Sequence, residues 1–166
     1  FEIESITKPI GVVGGTNKVL IRHADHGAFE GDYITFLHIG DGTSLDTGDI
    51  TMASLLSSYS TSNSTQGFEV TRVLSSDFYE IEFPGGTGST VQTTLHSDIS
   101  PSAVSIRLAS DTGIVANSLV KINDEYVQLG ALDASTDTYS SSLRGQLGSQ
   151  ASSHSAGDKV DLVKTE

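Results

Sequence analysis

The chain has 166 residues, 36% of them apolar, which is enough for one medium domain or two small ones of roughly 70 to 100 residues each. Its formal charge is -12, with 9 Lys and Arg against 21 Asp and Glu, which argues against a sequence-independent nucleic-acid binder, because such binding draws its affinity from basic side chains that neutralise phosphates. Anionic membrane surfaces are disfavoured for the same reason, no apolar run approaches the ~20 residues that span a bilayer, and the absence of cysteine removes disulfides, thiolate catalysis and Cys-ligated metals.

The chain opens on Phe1 rather than Met, as a processed or trimmed chain does, and "FEIESITKPI" (1 to 10) reads as a short amphipathic strand suited to pairing with a neighbour's sheet edge. Period-two alternation then predicts strands at "NKVLIRH" (17 to 23), "DYITFLHI" (32 to 39), "GFEVTRVL" (67 to 74) and "FYEIEF" (78 to 83). In "DYITFLHI" both sides of the strand carry apolar residues, so a central or sandwiched position is expected. Between the second and third of these runs lies a polar insertion near residues 40 to 67. Within it "DITMASLLSSYS" (49 to 60) has helical spacing after a possible Asp49 cap, and reads equally as a helical turn or a partly ordered insertion; "SSYSTSNSTQG" (57 to 67) reads as an exposed loop.

The Pro and Gly punctuation of "FPGGTGSTVQTTLHSDISP" (83 to 101) gives way to a Ser/Thr-rich connector, which places a boundary between domains 1–94 and 95–166. Beyond it, "SAVSIRLA" (102 to 109), "SLVKINDEYVQLG" (118 to 130) and "DKVDLV" (158 to 163) alternate in the same way. Many short strands separated by turn signals predict an all-β protein, here two small antiparallel β-sandwich or β-barrel-like domains.

The stretch "HADHGAFEGDYITF" (23 to 36) raises the question of chemistry. His23, Asp25, His26 and His38 are metal-ligand types, but His26 enters a Gly-containing turn and local geometry fixes no third ligand. A turn whose His and Asp side chains bond to backbone groups explains the same residues. Gly31-Asp32 and Gly157-Asp158 each precede a strand, each a few residues after a histidine (His26, with Gly27, and His154). One device used twice is expected, with Gly supplying an unusual backbone angle and Asp bonding to local amides.

In the second half, Gly145 and Gly148 permit tight positive-φ turns, and Arg144 carries five donors that can cap carbonyls or bind a carboxylate. Glu125 on the preceding strand is the candidate partner, and His154 sits in a turn before the last strand. Arg144, Glu125 and His154 are therefore expected to form a polar clasp that closes the second domain.

Enzyme signatures are absent: there is no G-x-S-x-G, and "GVVGGTNK" (11 to 18) lacks the phosphate-cradling pattern and leads into a strand. Asp41, Asp46 and Asp49 in "GDGTSLDTGD" (40 to 49) form a weak calcium candidate without EF-hand spacing, set against a solvated turn. No cofactor, no other metal and no enzymatic activity are expected.

The order N-x-V-x-I-x-H, H-G, G-D-x-I/V-x-F, a polar insertion, F-x-V-x-x-V and D-x-F/Y-x-I, carried here by "NKVLIRHADHG", "GDYITF" and "FEVTRVLSSDFYEIEF", resembles a β module that recurs in structural proteins of tailed bacteriophages. The "AFE" after His26-Gly27 departs from that module's usual wording, in the turn alone. The run "SIRLASDTGIVANSLVKINDEYVQLG", a variable hairpin and "LRGQLGSQASSHSAGDKVDLV" is similar to a second phage module found in tail, baseplate and fibre proteins. Arg144, Gly145, Gly148, Ser149, Ala151, His154, Gly157 and Val160 match its R-G-x-x-G-T/S-x-A-x-x-H-x-x-G-x-x-V pattern. The resemblance implies a virion structural protein of a tail, baseplate, fibre or head-decorating layer, with copies of itself and neighbouring virion proteins as partners in a homo-oligomeric assembly, and with no nucleic acid and no membrane insertion. The alternatives are an extracellular β-rich filament or adhesin subunit at a cell surface, and a carbohydrate-binding module, for which the lack of Trp is unfavourable.

Overall fold

The alternation in the first half of the chain resolves into one antiparallel sheet. A computed structural model describes residues 3, 5–6, 16–35, 67–84 and 91–164. Within the unit Phe1–Ser89 the strands are Ser5–Ile6 (β1), Thr16–Arg22 (β2), Tyr33–Ile34 (β3), Phe68–Val73 (β4) and Phe78–Pro84 (β5), in the spatial order β1-β2-β5-β4-β3. The register of β2 on β5 runs unbroken from Thr16↔Pro84 to Arg22↔Phe78. It sets Val19 opposite Ile81 and Ile21 opposite Tyr79, so the pleat sends these four side chains to one face, where they join Phe68 and Val70 in the core. The opposite face receives Lys18 opposite Glu82, an ion pair at 2.7 Å. A bulge between Val70 and Arg72 leaves Thr71 as the extra residue of β4, and its hydroxyl accepts from Lys18 at 3.1 Å.

Two expectations for this half change. Ser5–Ile6 pairs with Arg22 and Ile21 of its own chain, so one edge of this part of the N-terminal run is used internally. The strand that begins at Tyr33 ends the sheet order among the described residues, with Tyr33 half exposed: its alternation reported apolar residues on both sides, whereas position in a sheet is set by which strands come to flank it. Residues 36–39 of that run lie outside the described residues, as do the helical candidate at 49–60 and nearly all of the loop at 57–67.

The unit Thr90–Glu166 contains Gln92–Thr94 (β6), Ile106–Arg107 (β7), Leu119–Ile122 (β8), Glu125–Gln128 (β9), Ala131–Asp133 (β10), Thr138–Ser140 (β11) and Lys159–Lys164 (β12), with a 3-10 turn at Gln146–Gly148 (η1). They make a four-stranded sheet, β6-β12-β8-β9, and a three-stranded sheet, β10-β11-β7, all of it antiparallel. Side chains from both sheets meet in one core, Val120, Ile122, Val127 and Val160 from the first with Ile106 and Tyr139 from the second. The Tyr139 hydroxyl, buried in that core, donates to the Ile114 carbonyl at 2.8 Å, and burial pushes its pKa up to about 12.

The single apolar run at 118–130 is in fact a hairpin. Asn123, with φ of 52°, begins a two-residue turn that sets Ile122 opposite Glu125. Gln92–Thr94, read from its Ser/Thr content as connector, pairs with β12. The boundary between units therefore falls at Ser89 and Thr90, ahead of the 94/95 division expected from composition. The described residues contain no α-helix, and the chain is all-β.

Candidate functional site

The polar side chains singled out in the sequence gather at three places. Two are copies of one corner. In the first unit Gly31, at φ of 90°, is the third residue of the turn 29–32: the Asp32 N–H donates to the Phe29 carbonyl at 3.0 Å, and the Phe29 N–H donates to Asp32 Oδ2 at 2.8 Å. In the second unit Gly157, at φ of 87°, is the third residue of the turn 155–158, with the Asp158 N–H on the Ser155 carbonyl at 3.0 Å and the Ser155 N–H on Asp158 Oδ2 at 2.9 Å. The surrounding ladder is repeated too. Each Gly N–H donates to a facing residue, Val70 or Leu95, and the N–H of that residue returns to the Asp carbonyl. Removing either carboxylate, in Asp32→Ala or Asp158→Ala, is expected to cost about 1 kcal/mol and to lower the thermal midpoint, because one turn amide then loses its acceptor in each case.

His26 completes the first corner. The Ala28 N–H donates to Nδ1 at 2.9 Å, so the ring proton sits on Nε2, which donates to the Ser75 carbonyl at 2.8 Å. The ring meets Tyr79 edge-on at 4.8 Å between centroids. With both nitrogens engaged by backbone, His26 has no lone pair for a metal, and Asp25 turns at φ of 49° to donate its N–H to Asp77 Oδ1 at 3.1 Å. That N–H, with the Ser76 hydroxyl, holds the Asp77 carboxyl below its ordinary value of 3.8. Gly27, at φ of 61°, lets the chain turn between His26 and Ala28. His38 and the calcium candidate Asp41, Asp46 and Asp49 lie outside the described residues.

The third place is the clasp. Glu125, on β9 next to the hairpin turn, has a side chain with no solvent exposure. Arg144 meets it fork to fork, Nε on Oε1 and Nη2 on Oε2, each at 2.7 Å. The Gly145 N–H donates to Oε1 at 2.9 Å, and the Ser152 N–H donates to Oε2 at 3.1 Å. His154 Nε2 lies 2.8 Å from Oε2 as a further donor. The guanidinium spends its other three N–H groups on the carbonyls of Ser100 and Ser152, both at 2.6 Å, and of Ala103 at 3.4 Å. Gly145 and Gly148 adopt φ of 61° and 93°, which turn the chain back so that amides 145 and 152 can reach one carboxylate.

The sequence brought forward Glu125, Arg144 and His154, and the structure assembles all three. It gives a role to Ser149, a matched residue of the run, whose hydroxyl accepts the Tyr126 N–H at 2.9 Å and donates to the Gln146 carbonyl at 2.7 Å. Asn123 is also added: its amide donates to Asp158 Oδ2 at 2.9 Å and faces His154 Nδ1 at 3.3 Å. Both signals were present in the sequence, Asn123 two residues before Glu125 and Ser149 next to Gly148, but neither spacing alone names a partner.

Chemically, the cluster is arranged to hold and not to react. Ser152 Oγ stands 3.4 Å from His154 Nε2, the same nitrogen that serves Glu125, whereas a nucleophile and its orienting acid must occupy opposite ring nitrogens. The Glu125 oxygens accept from five donors, which leaves no lone pair to take a substrate proton. Burial by itself would raise the Glu125 carboxyl; the Arg144 and His154 side chains and then the two backbone N–H groups outweigh it and pull it from 4.5 down to about 2. A depressed folded-state value means that the stabilisation is complete above about pH 4.5 and is lost as pH falls through about 2. Denaturant midpoints of the wild type relative to Glu125→Gln, measured across that window, are expected to converge as roughly 3 kcal/mol is lost.

No protein-family model matches the chain, and no curated protein matches it.

Proposed function

We propose that the chain is a structural subunit of a tailed-phage virion, in a tail, baseplate, fibre or head-decorating layer, that works by packing two small β units against copies of itself and neighbouring proteins. One observation supports the reading: the Arg144 and His154 side chains and the Gly145 and Ser152 amides of the phage-like run are spent on the protein's own backbone and on Glu125, which is what a scaffold requires of its polar groups. Small β units of this size gain stability when they are buried against partners. The acidic surface adds a condition. At a formal charge of -12, identical copies repel one another at low ionic strength, so self-association is expected to strengthen as salt is added.

Light scattering of the purified chain over a range of concentration and salt tests the proposal, followed by imaging of particles labelled with an antibody against it. Salt-promoted oligomers and label on the virion are expected. A chain that stays monomeric at high concentration and high salt, with label confined to a cell surface or absent from particles, overturns the proposal.

A further inference from the structure

Between Tyr139 and Val160 the chain adds no residue to the apolar core of the second unit. Its buried residues there, Ser142, Ser149 and His154, are all polar. The stretch nevertheless covers a sheet edge. β9 ends the order β6-β12-β8-β9, and Leu143 exchanges both backbone hydrogen bonds with Gln128, at 3.0 and 2.8 Å, while the Tyr126 N–H is taken by Ser149. The N–H groups of residues 126 and 128 thus point away from β8. Leu129 instead donates inward to the Ser118 carbonyl at 2.9 Å, and Val127, in register with Val120, has the same parity.

A segment with no apolar anchor is held by whatever its polar groups grip: its far end is tied by the His154 backbone to Ile99, at 2.9 and 3.0 Å, Arg144 also reaches the Ser100 carbonyl, and the remaining donors converge on one carboxylate. Arg144, Gly145, Ser152 and His154 all donate to Glu125. We propose that residues 143–154 form a latch over the outer edge of β9, held shut by the ionised Glu125 and released as one piece when that charge is neutralised, with the apolar core still folded. Release leaves the N–H groups of Tyr126 and Gln128 open to solvent or to another extended chain. The proposal goes beyond the assembly reading and stands whether or not the chain is part of a virion.

Among the described residues, the ionisable groups that pair with Glu125 are Arg144 and His154. Beyond them Asp158 Oδ2 lies 3.8 Å from His154 Nδ1, and Asp98 takes the Ala156 N–H at 2.8 Å. Acid neutralises Asp98 and Asp158 as well, whereas Glu125→Gln at neutral pH leaves them ionised, so variant and acid series together isolate Glu125. Residue-resolved hydrogen exchange, corrected for the intrinsic pH dependence, reads the latch. In Glu125→Gln the protection of the Tyr126 and Gln128 amides is expected to fall by on the order of tenfold or more while Val127 and Leu129 keep theirs. In the wild type the same outward pair is expected to open first as the pH is taken from above 4.5 toward about 2. If all four amides lose protection in a single step, or if the outward pair stays protected, the latch is overturned; should Glu125→Gln not fold, the acid series is run on the double variant Asp98→Asn with Asp158→Asn, where the same early opening of the outward pair upholds the latch and its absence overturns it.

Discussion

Replacing Arg144 with alanine is expected to destabilise the second unit by on the order of 3 to 5 kcal/mol, the range found when one member of a buried ion pair is removed. The size of the loss follows from what is left behind. Glu125 keeps its place on β9 with its side chain sealed from solvent, and it loses both fork contacts at 2.7 Å. The carbonyls of Ser100 and Ser152 lose their donors in the same step. Arg144→Lys retains the charge but cannot form the fork or serve two carbonyls at once, so it is expected to recover only a minor part. Neutralising the orphan should recover more: in the double variant Arg144→Ala with Glu125→Gln, the combined loss is expected to fall well short of the sum of the two single losses. Urea unfolding followed through the ring resonances of Tyr126 and Tyr139, both buried in this unit, measures each term. Additive losses would show that the fork contributes nothing as a unit.

The second large effect concerns a residue without a side chain. An ideal Cβ at Gly130 would lie 1.9 Å from the Ser140 carbonyl oxygen and 2.8 Å from the Ser141 carbonyl carbon, both of them backbone atoms. The crowding arises because Ala131 pairs with Ser140, so the chain enters β10 directly against the strand it is about to join. Gly130→Ala must therefore push β10 away from β11, at a cost of about 3 kcal/mol. Gly157→Ala is the control. Nothing lies within 4 Å of its added Cβ, and only the φ of 87° is strained, so a loss of about 1 kcal/mol is expected. Thermal midpoints of the two variants separate steric exclusion from backbone strain. A loss at Gly130 no larger than at Gly157 would show that the neighbouring strand yields and that steric exclusion sets no requirement at Gly130.

The repeated Gly-Asp corner shows how much of a local device can be read without coordinates. Both the positive φ of Gly31 and Gly157 and the carboxylate bond to the amide three residues back are properties of four consecutive residues, so the sequence contains all that is needed to expect them. Strands β2, β4, β5 and β12 were legible for a similar reason, since each has one face in a core and the other toward polar groups, which writes period two into the chain. The hairpin at Asn123 was not legible. Apolar residues continue through both of its arms, and only the turn backbone separates them. Gln92–Thr94 was missed because three polar residues carry no apolar alternation, although both threonines are β-branched, and its pairing is supplied by β12.

By itself, then, the sequence determined the all-β class, the two-unit plan, the glycine corners and the acid, base and cation of the clasp, because alternation, turn chemistry and charge are local quantities. Only the tertiary structure decided that β1 is used within its own chain, that the strand at Tyr33 ends the described sheet, and that the five donors on Glu125 come from a fork, a ring and two amides. Those outcomes depend on which distant segments approach within 3 Å of one another, and hydrogen bonding acts only at that range.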